Sequence, residues 1–544
     1  RHSVPVDTIY LEGRGANNGR VTWDTLQFDR TAMPVIADTV NGVYIFRLAT
    51  PLAAHDTLHL RYRLSYSERG FANSGPGTML AENGTYLTRD AFPRIAYDGW
   101  GEISRDNDRK KQKLPPKERL AAITDTAKWQ ERPLIQFDAV VSTSADQIAI
   151  APGYLQREWR EGNRRYFAYA MDAPIPDLYA VLSARWTVTR DTWKGVAIEI
   201  YHHATHTFHV PRMIEATKAA LAYYTAQFSA YQHRQVRILE FPRYAVYAQL
   251  VPNTIVYSEG IGFIARVDST SAQDTDFPYF VTAHEIAHEW FPYQRIPAYV
   301  QGSGMLGESL AEYAAIAVVH ERYGAEHTQK FLRVELDEYL RGRGAESRRE
   351  MPLMLVEGQG YIAYRKGSLA FFALRDLIGE RALNGALRAY LDEGRFGGPP
   401  YATTLDLMKH LRAATPDSMQ YALHDLFETI TLWDLRTDSA TATRQSDGTW
   451  KVRLVVASMK LRADSLGNET AIPMADYVDV GVFGTVPPGN RLGKRLEVRK
   501  VKITKPVEVF EFTVKEKPLR AGIDPYNRLI DRNPGDNSRS VTGG

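Results

Sequence analysis

The chain has 544 residues, 44% hydrophobic and 24% charged, with 39 Gly and 28 Pro, proportions near globular averages that exclude collagen-like, coiled-coil and largely disordered classes and allow about three or four domains. Lys+Arg 67 against Asp+Glu 64 leaves a formal charge of +3, too balanced for a protein that coats nucleic acid. Cysteine is absent, which removes disulfide frameworks, thiolate metal sites and cysteine nucleophiles together; any metal has to be held by His, Asp or Glu.

No apolar run reaches the ~18–20 residues that span a bilayer, so a soluble chain is expected. It begins at Arg1 without an initiator Met, and is read as a processed or excised piece of something longer. Residues 1–208 read as a β domain. Leu58, Leu60, Tyr62, Leu64 and Tyr66 alternate with polar residues, as do Val196, Ile198 and Ile200, the period of half-buried strands. Asn17-Asn18-Gly19 and Asn73-Ser74-Gly75-Pro76-Gly77 break such runs. The charged stretch from Arg105 to Arg119 is expected as a solvated loop.

Near residue 209 the period changes. Pro211 suits a helix N-terminus, and Met213, Thr217, Ala220, Tyr224 and Phe228 fall on one helical face. Helical patterns dominate to residue 432, including segments around His284, Glu308, Gly367 to Leu377 and Ala382 to Leu391. From 433 to 532 alternation returns in Val452, Leu454 and Val456, in Val478, Val480 and Val482, and in Val507, Val509 and Phe512, the size and pattern of one β-sandwich. Residues 533–544 are expected to be disordered. The fold class is multidomain α+β.

His284-Glu285-Ile286-Ala287-His288 carries the chemistry. Residues four apart on a helix share a face, so both imidazoles reach one ion while Glu285 stands beside them. Composition alone predicts roughly 0.02 such matches in the chain, so chance is a poor account. A tetrahedral catalytic zinc needs a third protein ligand and one open position. Glu308, beyond His288 in a helical pattern, is assigned that place; Glu312, one turn further, is assigned to orient a ligand histidine, and the two roles are exchangeable. A second histidine-rich segment, His202, His203, His206 and His209, follows a strand pattern with no acid close in sequence and is read as a satisfied or exposed cluster.

HEIAHEW followed by LGESLAEY resembles the paired zinc motif of the aminopeptidase N family of gluzincin metallopeptidases, HExxHxW and LNEGFAEY. Tyr257 to Ile264 (YSEGIGFI) resembles a degenerate GAMEN segment, and Tyr364-Arg365-Lys366-Gly367 resembles the segment with the catalytic tyrosine. The resemblance implies an N-terminal β-sheet saddle domain, a thermolysin-like catalytic domain and a C-terminal β-sandwich, without the large helical C-terminal domain of many members. Within the family the chain is most similar to the peptidase domain of bacterial ABC-2-type permease fusions, which implies an attached or associated permease and an extracytoplasmic location, the cytoplasm being the alternative.

What the resemblance further implies is one zinc per chain on His284, His288 and Glu308, Glu285 as general base and acid, Tyr364 as oxyanion stabiliser, and removal of N-terminal residues from peptides with a free N-terminus. Glu259 would meet the substrate's α-ammonium, Gly260 and Gly262 would let an extended peptide approach the backbone, and Asn83 is a candidate for the N-terminal-domain residue beside the amine. Two other readings are carried: a catalytically weak binding or assembly domain of a transporter, and a zinc endopeptidase, which is favoured if Glu259 points away from the metal.

Overall fold

In a computed structural model of the protein, the structure describes residues 5–13, 21–54, 56–67, 79–95, 102–103, 105–117, 120–130, 134–268 and 270–543. The breaks at Asn17 to Gly19 and Asn73 to Gly77 lie outside the described residues, as do residues 118 and 119. The order is strands, then helices, then strands, the mixed α+β arrangement expected from the change of period along the chain.

Short antiparallel strands build the N-terminal region. Ala32–Asp38, Val43–Leu52, Val6–Glu12 and Arg94–Ile95 form one four-stranded sheet in that order, and Ile148–Ile150, Ala180–Ala184, Gly84–Thr88 and Leu80–Ala81 form another. Asp138–Ser144, Arg164–Ala170 and Tyr154–Glu161 form a three-stranded sheet. The charged stretch from Arg105 differs from expectation: it contains a short helix, Asp106–Lys111, because Arg109 turns inward. Its Nε donates to Pro115 O at 2.6 Å and its Nη1 to Glu102 Oε2 at 2.7 Å, so the buried guanidinium is satisfied.

A five-stranded mixed sheet leads into the helical part. Its strands are β1 (Thr187–Trp193), β2 (Val196–His202), β3 (Gln235–Phe241), β4 (Ala248–Val251) and β5 (Thr254–Ser258), in spatial order β1-β2-β3-β5-β4. β2, β3 and β5 run parallel; β1 and β4 are antiparallel edges. Because successive side chains alternate, both faces of this sheet are apolar. Ile200, Ile238 and Ile255 join a core with Met213, Ala220 and Tyr224 of helix α1 (Val210–Gln227), while Tyr201, Leu239 and Val256 pack with Tyr86, Phe167 and Trp186 of the N-terminal region. The helical face predicted for α1 is buried throughout, including Thr217, whose hydroxyl donates to Met213 O at 2.8 Å.

The helices that matter next are α2 (Phe277–Ala287), α3 (Leu310–Gly344) and α4 (Gly367–Ile378). Single π-helical turns, Met305–Ser309 and Tyr361–Lys366, precede α3 and α4. At the C-terminus two four-stranded sheets follow: Ile430–Arg444, Trp450–Ala463, Glu469–Ile472 and Val507–Val514 in one, and Arg495–Ile503, Asp476–Phe483, Arg520–Ile523 and Ser538–Ser540 in the other. Val452, Leu454, Val480 and Val482 are buried in the same apolar core as α1 and α4, so the helical part and the C-terminal strands pack as one body. The segment from Asn533, expected to be disordered, is a correction. Ser538–Ser540 pairs with Arg520–Ile523, and Thr542 N donates to Ala440 O at 3.0 Å, so polar, Gly-rich residues are held by backbone ladders rather than by apolar side chains. Among the described residues no helix is long and apolar enough to cross a membrane.

Candidate metal centre

Helix α2 is fixed at both ends. Asp276 caps it, its carboxylate accepting from Tyr279 N at 3.2 Å, with Pro278 in the first turn where no N–H is missed. Every residue from Pro278 to Ala287 is buried, and Trp290 just beyond anchors in the core with its Nε1 donating to Ser229 O at 3.0 Å. The four-residue spacing brings His284 and His288 together as predicted, with Nε2 atoms 3.1 Å apart. Glu308, carried on the π-helical turn, points its Oε2 at both, 3.5 Å from His284 Nε2 and 3.3 Å from His288 Nε2.

The outer nitrogens decide what those three atoms present. His288 Nδ1 lies 2.8 Å from Phe291 O, so that nitrogen donates and Nε2 is left with a lone pair. His284 Nδ1 makes no hydrogen bond but faces Glu312 Oε1 at 3.4 Å, an acceptor that favours the same tautomer. Two imidazole lone pairs and a carboxylate oxygen therefore converge, and Glu308 Oε2 has no hydrogen-bond partner. That donor set fits one divalent cation of the zinc type, held by two His and one Glu. Without a cation the cluster would recruit a proton: against burial, which lowers it, Glu308 raises His288 to about 9. Glu308 itself is pushed up by burial, yet His288 and then His284 hold it well below the usual carboxylate range.

Glu285 stands next to the trio with one oxygen unpartnered, on the side of the centre where the Leu250 backbone lies. Burial raises its carboxyl to about 7. Tyr364, on the second π-helical turn, stacks its ring 6.1 Å from that of His284. Burial, then the charge of Glu308, pushes its hydroxyl well above the ordinary tyrosine value, so it keeps its proton at neutral pH. Both π turns insert one residue into a helix just where a side chain must be aimed at the centre, the usual setting of such bulges. Behind Glu312, Arg365 Nη1 donates to Glu335 Oε1 at 2.8 Å and lies beside Glu312, supplying the positive charge that this buried acid pair requires.

The remaining predicted residues lie elsewhere. Glu259 follows the end of β5, with Oε1 accepting from Arg243 N at 3.1 Å and Oε2 3.8 Å from His206 Nδ1. Gly262 is small for a packing reason, since a Cβ there would sit 2.2 Å from Tyr257 Cε1; Gly260 has room, its nearest neighbour being Arg243 Cβ at 3.4 Å. Asn83 lies in the turn between Leu80–Ala81 and Gly84–Thr88, its Nδ2 3.5 Å from Tyr86 Oη, and Tyr86 senses the charges of Glu240 and Glu259. The strand beside the centre is β4: Leu250 lies beside Glu285, and Tyr293 Oη donates to Leu250 O at 3.1 Å. The sequence signal for this strand is Pro252-Asn253, a two-residue turn with Asn253 at φ 54°, between two apolar runs. Glu335 and Leu250 carry no motif, and sequence reasoning missed them.

Residues 212–429 match the model of the peptidase family M1 domain. The chain is similar in structure to Legionella pneumophila aminopeptidase A solved in complex with aspartic acid, at 14% identity and a TM-score of 0.57, covering 100% of this chain and 56% of that one. It is also similar to the M1 zinc metallopeptidase of Deinococcus radiodurans, at 16% identity, with TM-scores of 0.52 for a point mutant and 0.51 for the unmutated protein and coverage of 78% of this chain and 87% or 86% of those. At these identities the likeness shows the fold alone. No curated protein matches the sequence.

Proposed function

From the match of residues 212–429 to the peptidase family M1 domain, we propose that the protein is a zinc-dependent aminopeptidase that hydrolyses the first peptide bond of peptides. The observation that carries this reading is the convergence of His284 Nε2, His288 Nε2 and Glu308 Oε2 on one point with Glu285 beside them. The zinc they would hold would supply Lewis acidity, which would make water nucleophilic and polarise the carbonyl. Glu285 takes a proton from the attacking water at its unpartnered oxygen and returns it to the leaving amine, a contribution of typically about 10²–10⁴-fold. Tyr364 keeps its proton and donates a hydrogen bond to the carbonyl oxygen as charge develops on it. Glu312 Oε1, 3.4 Å from His284 Nδ1, is placed to accept from that nitrogen and so favour the tautomer that offers Nε2.

Substrate would lie along the free edge of β4 as an added strand. Leu250 already uses its outward C=O on Tyr293, so alternation gives Ala248 the next outward pair. Hydrolysis of a panel of aminoacyl-arylamides, abolished by chelator and by Glu285→Gln, is the expected result. A panel left uncleaved by metal-replete protein would return the domain to a binding role. One observation favours a second reading, a zinc endopeptidase: Glu259 is engaged by Arg243 N and His206. Equal cleavage of N-acetylated and free peptides would replace the first reading with the second.

A further inference from the structure

The histidine-rich segment from His202 to His209 contains no acid of its own, but the fold supplies two. β2, β3 and β5 are parallel neighbours, so their carboxyl ends lie side by side at one edge of the sheet. His206 comes from the loop after β2, Glu240 from the end of β3 and Glu259 from just beyond β5, and one ligand atom from each lies within 4.8 Å of the other two. Glu240 is 4% exposed; the other two are half-buried.

Hydrogen bonding leaves this cluster short of positive charge. Glu240 Oε2 is taken by the His203 amide at 2.5 Å, and Glu259 Oε1 by the Arg243 amide at 3.1 Å. The other oxygen of each carboxylate faces the same atom, His206 Nδ1, in close contact for Glu240 Oε1 and at 3.8 Å for Glu259 Oε2. One ring nitrogen carries at most one proton, so two oxygens share a single hydrogen, and with both carboxylates ionised the cluster keeps net negative charge whichever form the ring takes, a state that the burial of Glu240 disfavours unless a cation compensates it. A divalent ion in place of that proton would bind both oxygens and the nitrogen lone pair together, with the two amides orienting the carboxylates from behind.

We propose that His206, Glu240 and Glu259 form a second metal site, for a divalent transition-metal ion of the zinc or manganese class, distinct from the centre on α2. One imidazole with two carboxylates selects that class over a hard, all-oxygen calcium or magnesium site. Its place at three strand ends gives it a structural consequence: it ties the loop carrying His203 and His206 to the sheet and holds Glu259 in place. The inference stands independently of the proposed peptidase activity.

The test uses the full chain, stripped with chelator and then dialysed against a low concentration of Zn²⁺, with bound metal counted by elemental analysis. The wild type should retain two zinc equivalents per chain, and His206→Ala and Glu259→Gln one each. His284→Ala should also retain one, held at the second site, and the double variant His206→Ala/His284→Ala none. Far-UV circular dichroism and the thermal midpoint of each stripped variant report that it is folded. A His284→Ala variant that retains no zinc while folded overturns the proposal, as does an equivalent that survives in both His206→Ala/His284→Ala and a Glu259→Gln/His284→Ala double variant.

Discussion

Two clusters of histidine and glutamate in this molecule have nearly the same composition and opposite origins. At the first, two imidazoles lie one turn apart on a single helix and a third donor arrives on the next helical segment, so proximity is set locally. At the second, His206, Glu240 and Glu259 are brought together only because three strands pair in parallel. The surroundings differ as well. Glu285, with an unpartnered oxygen, and a proton-bearing Tyr364 flank the first cluster, whereas backbone amides occupy the spare oxygens of the second. A metal-binding geometry becomes a reactive one where unspent proton donors and acceptors surround it; where amides have consumed them, it is a clip.

The largest expected effect tests the reactive half of that contrast. Glu285→Gln should lower kcat by about 10²–10⁴-fold while the metal content of the α2 centre stays unchanged, because the substitution removes a proton acceptor and no ligand. Loss of metal together with activity would move Glu285 into the ligand set. Tyr364→Phe comes next, with kcat expected to fall about 10²–10³-fold and KM nearly constant, the signature of a hydrogen bond made only as charge develops. A rise in KM at constant kcat would give the hydroxyl to ground-state binding instead. Glu312→Gln is smaller still: zinc affinity measured by chelator competition should weaken about 10–100-fold, the usual cost of losing a carboxylate behind a ligand histidine. Unchanged affinity would mean that the 3.4 Å approach of Glu312 to His284 Nδ1 does not hold the ring.

How far sequence alone reached follows the same division between local and non-local structure. His284 and His288 were legible because a helix converts spacing into direction, whereas the choice between Glu308 and Glu312 as third ligand stayed open, since both lie on a separate helical segment. The faces of α1 and of the C-terminal strands were legible for the same reason, period fixing which side is buried. The strand beside the metal was misplaced. YSEG ends β5, but the sheet order puts β4 at the edge next to α2, and nothing in a hairpin's own residues says which of its two strands will lie outermost. Glu240 was invisible for a related reason, since parallel pairing brings residues together across long connections. The stretch after Arg105 and the segment after Asn533 were misread because both are polar, and backbone hydrogen bonds and one buried Arg109 order them without an apolar signal.

The smallest expected effect separates packing from function within YSEGIG. If both glycines were there to admit a substrate, alanine at either would change KM and leave stability alone. The positions are not alike. A Cβ on Gly262 would lie 2.2 Å from Tyr257 Cε1 and 2.7 Å from Met213 Cε, inside the core under β5, and the fully buried Tyr257 ring has little room to yield. Gly262→Ala should therefore cost about 1–3 kcal/mol, the range for overpacking a buried site, read as a lower thermal midpoint. On Gly260 the nearest atom to a Cβ is Arg243 Cβ at 3.4 Å, an ordinary contact, so Gly260→Ala should stay within about 0.5 kcal/mol of the wild type. Equal destabilisation by the two would show that the turn after β5 is rigid along its whole length, and a KM effect from Gly260→Ala at unchanged stability would bring substrate to this end of the sheet and Glu259 back beside the amine.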